Sequence, residues 1–355
     1  MKPTTLIIII SYSILVSCYK PYNANVDSNK KILVIDGLIT NENTSYQIRL
    51  SYASPFDSSG TGQPAYASSV NITDDLGNSY SFNDFGNGYY NSDPLQFIGN
   101  PGSTYTLHII TADGERYESD PQRLYYGSYN DSVYAEFGYQ ETLSDITGLK
   151  EYSHGATILT DIKNGSQTLP HFRFTTDLLT QYINVVCHPF GSCDDYYCWQ
   201  LEDANINVNL TGGKYSTNSA SVNKHSLCFI NDDLSCFSLI YFQPYMISSR
   251  TIFLNQYVLN NEAYSYYTKI DELIRSEGKI FDPIATQIDG NIHCLSHPEN
   301  KVFGFFEAST VNHASYKVDF RNLVNAQPLL KKIPYILPPQ PIGSWFNIVP
   351  PFWVN

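Results

Sequence analysis

Ser69-Val-Asn-Ile-Thr-Asp-Asp-Leu-Gly-Asn-Ser-Tyr-Ser-Phe82 decides the fold class of this chain. Two short runs rich in Val, Ile, Thr, Tyr and Phe flank Asp74-Asp-Leu-Gly-Asn78. Side chains in a strand point to alternate faces, so such runs bury one face and wet the other. Asp, Asn and Gly take the backbone conformations that a tight reversal needs. The stretch therefore reads as a β-hairpin. Asp74, Asp75 and Asn78 also carry calcium-type oxygens, but they lack the spacing of a calcium-binding loop, and turn chemistry accounts for them.

Outward from this hairpin the same pattern repeats. Ile32 to Thr40 is a β-branched run, and Tyr46-Gln-Ile-Arg-Leu-Ser-Tyr52 alternates strictly. Tyr105-Thr-Leu-His-Ile-Ile110 and Glu115-Arg-Tyr-Glu118 flank Thr111-Ala-Asp-Gly114, a second hairpin. Short strands at this spacing predict an immunoglobulin-like β-sandwich over residues 32–124. A larger β-rich domain is expected over residues 125–332, with strand-like runs such as Ser132 to Phe137, His171 to Thr175, Asn205 to Leu210 and Phe237 to Phe242. One amphipathic helix is expected over residues 261–276. Asn261 serves as its cap, Ala263, Tyr267, Ile270 and Ile274 form its buried face, and Gly278 is its stop. Residues 333–355 form a tail rich in Pro and aromatics that no regular element can hold throughout. It is expected to lie extended on the second domain, pinned by Trp345, Phe352 and Trp353.

The other end of the chain indicates where the protein works. Lys2 precedes an apolar run from Leu6 to Val16, too short to span a bilayer, and Leu15-Val-Ser-Cys18 closes it. A basic start, a short apolar core and small residues before a cut site make a secretory signal, residues 1–17. A Cys directly after Leu-Val-Ser makes it a lipoprotein signal, with Cys18 lipidated as the first mature residue. Its acyl chains anchor the protein stably. Residues 18–31 read as a tether. The chain is acidic, with a formal net charge of −13, and loss of the leader removes Lys2 and no acid. That balance argues against nucleic acid as a partner.

Six further cysteines lie in the second half: Cys187, Cys193, Cys198, Cys228, Cys236 and Cys294. Export implies an oxidising compartment, so these are disulfide candidates. One bridge is expected inside the segment Cys187 to Cys198, and another between Cys228 and Cys236. The alternative use of the same segment is metal binding, with His188, Asp194 and Asp195 beside the thiols. No Cys-x2-Cys pair occurs, which weighs against zinc. No nucleophile elbow, phosphate loop or dinucleotide fingerprint is present, so no catalytic residue and no cofactor are assigned. Aromatics make up 14% of the chain, and Tyr196, Tyr197, Trp199, Tyr264 and Tyr266 form a candidate binding surface. Burial inside the β-domains is the more ordinary account of such residues.

Several segments taken in order carry a resemblance. Leu33-Val-Ile-Asp-Gly-Leu-Ile-Thr40 follows the lipoprotein Cys, then Gly88-Tyr-Tyr and Gly102-Ser-Thr-Tyr-Thr-Leu. Leu259-Asn-Asn-Glu-Ala-Tyr-Ser-Tyr-Tyr, Gly278-Lys-Ile-Phe-Asp-Pro283, Gly290-Asn-Ile292, Val302-Phe-Gly-Phe-Phe-Glu-Ala-Ser309 and Pro351-Phe-Trp353 follow. The order resembles Bacteroidota outer-membrane lipoproteins of the domain of unknown function 4249 family. The resemblance implies a non-catalytic accessory of a SusC-like, TonB-dependent uptake system, binding either the transporter or its substrate. It carries no catalytic residues across. Surface-exposed lipoproteins of this group often have acids after the lipidated Cys. Here Tyr19-Lys20-Pro21 follows, which leaves both faces of the outer membrane open. Two other classes stand beside this expectation: an exported hydrolase or metal enzyme using His188, Asp194 and Asp195, and a structural envelope-assembly factor.

Overall fold

The computed structural model of the chain describes residues 32–53, 62–127, 131–143, 148–163, 170–187, 191, 193–204, 208–211, 221–231, 235–238, 243–275, 288–318 and 344–346. The leader, Cys18, the tether and most of the tail lie outside them, as do His188 and the side chains of Cys187, Cys193, Asp194, Asp195, Tyr196, Cys198 and Cys236.

The protein is mainly β. Its first eight strands are β1 (Leu33–Ile39), β2 (Gln47–Tyr52), β3 (Ala67–Asp74), β4 (Ser79–Gly86), β5 (Tyr89–Ser92), β6 (Thr104–Thr111), β7 (Arg116–Ser119) and β8 (Gln122–Arg123). There follow β9 (Ser132–Leu143), β10 (Lys150–Lys163), β11 (His171–Cys187), β12 (Cys193–Asp203), β13 (Asn209–Thr211), β14 (Ser221–Asn231), β15 (Ser235–Ser238) and β16 (Gln243–Leu259). Helix α1 (Asn261–Arg275) precedes β17 (Ile292–Cys294), β18 (Val302–Ala308), β19 (Thr310–Val318) and β20 (Ser344–Phe346).

Both expected hairpins form. In the first, the Asp74 carboxylate accepts hydrogen bonds from the Leu76 and Asn78 amides, the Asn78 side chain and the Tyr80 hydroxyl. Gly77 takes φ 84°, which a side chain would oppose. These oxygens are thus spent on the turn. Alternation then places Val70 and Ile72 of β3 with Ile48, Leu50, Leu107 and Ile109 in one apolar core.

The first body is a ten-stranded sheet in the order β17-β7-β6-β3-β4-β5-β2-β1-β18, with β8 added to β6. Its end strands β17 and β18 lie side by side, so the sheet nearly closes into a barrel. The Asn291 side chain staples this seam, donating to the Phe306 carbonyl and accepting from the Phe306 amide, each at 2.9 Å. The hydrogen bonding thus draws a rolled, nearly closed sheet, without specifically drawing the two separate sheets of an immunoglobulin-like sandwich. Residues 32–124 do not complete it. β18 pairs parallel with β1, Leu33 against Val302 and Ile39 against Ala308, so the chain returns to the first body after residue 290. Gly304, at φ 91°, permits this approach, since a Cβ there would meet the Ile35 carbonyl oxygen at 2.0 Å.

The second body stacks a three-stranded sheet, β14-β10-β9, on a seven-stranded sheet, β15-β16-β11-β12-β20, with β13 on β11 and β19 on β16. Ile158, Phe172, Phe174, Ile252 and Leu254 lie in the core between them. The tail strand β20 pairs with β12, Phe346 against Trp199, so residues 344–346 do lie along the second body.

The helix is capped one residue earlier than expected. Asn260, not Asn261, accepts the Ala263 amide at 2.7 Å. Ala263 is buried and Ile274 is exposed, so the buried stripe ends before the last turn. Among the described residues no helix is long and apolar enough to cross a membrane.

Candidate functional site

Among the described residues, strands β9 and β10 outrun their sheet. β14 reaches only as far as Asn231, opposite Gly155, where a Cβ would meet the Ile230 carbonyl oxygen at 2.1 Å. Beyond Gly155, among the described residues, β9 and β10 continue as a two-stranded ribbon with His154 opposite Tyr139 and Tyr152 opposite Glu141. In an antiparallel pair, directly opposed residues share a face, as do residues two apart. Phe137, Tyr139, Glu141, Tyr152 and His154 therefore share one face. That face continues the one on which Ala156 and Ile158 enter the second core.

The ribbon face is wet. Tyr139 is 76% exposed and Tyr152 62%, and Phe137 is exposed with them. The Tyr139 and His154 rings meet edge to face at 4.8 Å. Tyr152 donates its hydroxyl proton to Glu141 Oε2 at 3.0 Å, and Lys150 Nζ lies 2.7 Å from Glu141 Oε1. The result is a shallow strip of flat rings edged by donors and acceptors. It suits stacking against a sugar or side chain together with peripheral hydrogen bonds. It brings together no nucleophile, base and oxyanion donor. The sequence reading missed this face. Its signal was Phe137, Tyr139, Tyr152 and His154 at period two, but pairing of the two runs was needed to put them together.

The aromatic residues singled out from sequence separate into two places. Tyr264 stacks on His171 at 3.8 Å with ring planes 8° apart, and Tyr266 stacks on Phe305 at 4.7 Å. Both serve the packing of α1. Burial holds the His171 imidazole below its usual range and pushes the Tyr266 phenol up to about 12, with Asp36 adding to the latter. Trp199 is buried and lies 6.3 Å from the exposed Tyr197 ring. Trp199 pairs with Gln181, ten residues along β11 from His171, or roughly 33 Å at a strand's rise per residue. The two sets cannot make one platform.

Cys228 and Cys294 are free thiols, so the expected bridge between Cys228 and Cys236 is corrected. Cys228 lies on β14, in the three-stranded sheet, while Cys236 lies on β15, at the edge of the facing sheet. Cys294 is buried in the other core. Burial pushes the Cys228 thiol up to about 11, which keeps it protonated and inert. Cys187 and Cys193 stand opposite each other in the β11–β12 register. Among the described residues no group of three or more His, Cys, Asp or Glu side chains is arranged to hold a metal ion.

The most buried charges form a joint between the two bodies. Arg173 of β11 lies between the rings of Tyr257 and Tyr267, at 4.2 and 4.6 Å. Its Nη2 donates to both Glu307 oxygens, at 3.1 and 3.0 Å, and the Tyr267 hydroxyl donates to Glu307 Oε2 at 2.5 Å. Burial opposes the guanidinium charge, yet the Glu307 carboxylate holds it above its usual range. Burial first, and Glu307 second, push the Tyr267 phenol well up. The cluster links β11, β16, α1 and β18 and is structural.

A family model described as Domain of unknown function (DUF4249) matches residues 19–315, most of the chain. The chain belongs to that family. The match runs through both bodies, from the residue after Cys18 to the middle of β19, so the DUF4249 unit includes the parallel return of β18 to β1 and also the ribbon. No curated protein matches the chain.

Proposed function

We propose that this DUF4249 protein is a non-catalytic, lipid-anchored accessory of the outer membrane that works beside a SusC-like, TonB-dependent transporter and binds the transporter or its substrate. The anchor reading rests on Leu15-Val-Ser-Cys18. The transporter association rests on family resemblance. The observation that carries a binding role is the β9–β10 ribbon, a solvent-exposed aromatic face continuous with the core face of its own sheet. Exposed aromatic rings that contribute little to the fold are a characteristic anchor of binding surfaces.

A crosslinked pull-down of the lipidated protein from native outer membranes, read by mass spectrometry, tests this. The expected result is one TonB-dependent transporter in near-equal amount, lost when Tyr139→Ser and Tyr152→Ser are combined in a protein of unchanged thermal stability. Recovery of the lipoprotein alone, in parent and variant alike, overturns the reading.

A further inference from the structure

The strand directions give the first body two unlike ends. β1 runs from Leu33 to Ile39, and β18 runs beside it from Val302 to Ala308. Ile39, Asn41 and Glu42 then meet the second body: the Ser309 amide donates to the Ile39 carbonyl, the Val311 amide to Asn41 Oδ1, and His313 pairs with Glu42. Gln122 likewise donates to Glu262 of α1 at 2.8 Å. This end is the junction. Leu33, where β1 begins, lies at the other end, with the Gly86–Gly88 turn, the turn of residues 111–115 and the segment after Cys294. The Leu50 amide to the Gly88 carbonyl, the Ala112 amide to the Tyr66 carbonyl and the Leu295 amide to the Arg116 carbonyl hold that end together. Tyr66, Phe85 and Leu295 sit there, 51%, 74% and 53% exposed.

The chain therefore enters the fold at the end opposite the second body. Residues 19–31 separate Cys18 from that end, a span of at most roughly 45 Å even when fully extended. We propose that this end is a lipid-facing surface: Tyr66, Phe85 and Leu295 rest at the membrane interface while the second body and its ribbon point away from it. The inference rests on the anchor reading above. Tyr, Phe and Leu are the side chains that settle at the boundary between headgroups and acyl chains. Asp84, Asp113, Glu115 and Glu299 at the same end, set against Arg116 and Lys301, make a zwitterionic lipid the better match than an anionic one. Strands of eight residues are about 26 Å long, so this orientation holds the junction up to about that far from the lipid, the tilt of the strands setting how much less.

The test uses the full lipidated protein, extracted from membranes, its Cys18 acylation verified by intact mass, and reconstituted in phosphatidylcholine vesicles. Benzoylphenylalanine replaces Tyr66, Phe85, Leu295, Tyr139 or Tyr152, one per variant. All five side chains are exposed, so the fold tolerates the probe. Irradiation is expected to give lipid adducts at the first three positions and none at the last two. Adducts at Tyr139 or Tyr152, or none at the three end positions, overturn the orientation although the anchor stands. An unmodified Cys18 overturns the anchor reading itself, and this inference with it, so the two failures are separate results.

Discussion

Replacing Glu307 by Gln keeps its shape and removes its charge, and it should cost the protein about 3 kcal/mol. The Glu307 side chain is 2% exposed, and its two oxygens take both contacts from Arg173 Nη2 and one from Tyr267. Removing one member of a buried ion pair typically costs about 3–5 kcal/mol, because the surviving charge stays desolvated without a counter-charge. The Gln amide still offers one acceptor, and the Tyr257 and Tyr267 rings still face the guanidinium, a contact of roughly 1–2 kcal/mol in a dry site. These offsets place the cost at the lower end of the range. Arg173→Met alone strands the carboxylate and should cost a similar amount. Arg173→Met combined with Glu307→Leu removes both charges and should cost less than either single change, since an apolar pair of like volume replaces a buried ion pair with little loss. Urea unfolding followed by circular dichroism measures all three. If Glu307→Gln lies within about 1 kcal/mol of the parent, or the double variant costs the sum of its parts, the joint between the two bodies does not rest on this pair.

Three further outcomes follow from the same structure. His225 of β14 packs 5.0 Å from the Phe174 ring, with Nε2 2.6 Å from Asn209 Oδ1, and burial lowers its pKa from 6.5 to about 4. Between those values the unfolded chain binds a proton that the folded chain refuses. Stability is therefore complete above about pH 6.5 and falls as pH drops toward 4, by on the order of 3 kcal/mol at 1.4 kcal/mol per unit. His225→Gln should flatten that part of the stability profile measured by urea unfolding across the pH range, and an unchanged slope refutes the assignment. Asn260→Ala removes the α1 cap and leaves Gln122 Oε1, fully buried and 2.6 Å from Asn260 Nδ2, without that donor. Together these losses should cost about 2–4 kcal/mol in thermal or urea unfolding, and a cost below about 1 kcal/mol contradicts the shared role. Cys187 and Cys193 are direct register partners in the antiparallel β11–β12 pair, the backbone placement from which a cross-strand disulfide can form. Peptide mapping of the protein, isolated from its native cells without reductant, should find them linked to each other, while Cys228 and Cys294 react with alkylating reagent only after unfolding. A bridge involving Cys228 or Cys294 contradicts the fold.

The local elements were legible because each is set by neighbours in sequence. Val70 and Ile72 alternate with polar residues, Gly77 and Gly114 supply the left-handed backbone their turns need, and Ala263, Tyr267, Ile270 and Ile274 sit at helical spacing. The helix cap moved by one residue because Asn260 and Asn261 offer the same side chain, and only the backbone position of Ala263 selects between them. The candidate binding surface was read less well. Aromatic pairs close in sequence drew attention, but Tyr264, Tyr266 and Trp199 are packing residues, whereas the exposed rings of Tyr139 and Tyr152 are brought onto one face by a register that pairs His154 with Tyr139.

By itself the sequence determined the β class, the hairpin turns and the single described helix, since periodicity and turn chemistry are local properties. Only the tertiary structure decided that β18 returns to lie parallel with β1, that Arg173 finds Glu307 across 134 residues, and that β9 and β10, among the described residues, outrun the strand beside them. Those contacts are chosen by the burial of two cores together, and no window of sequence contains both partners.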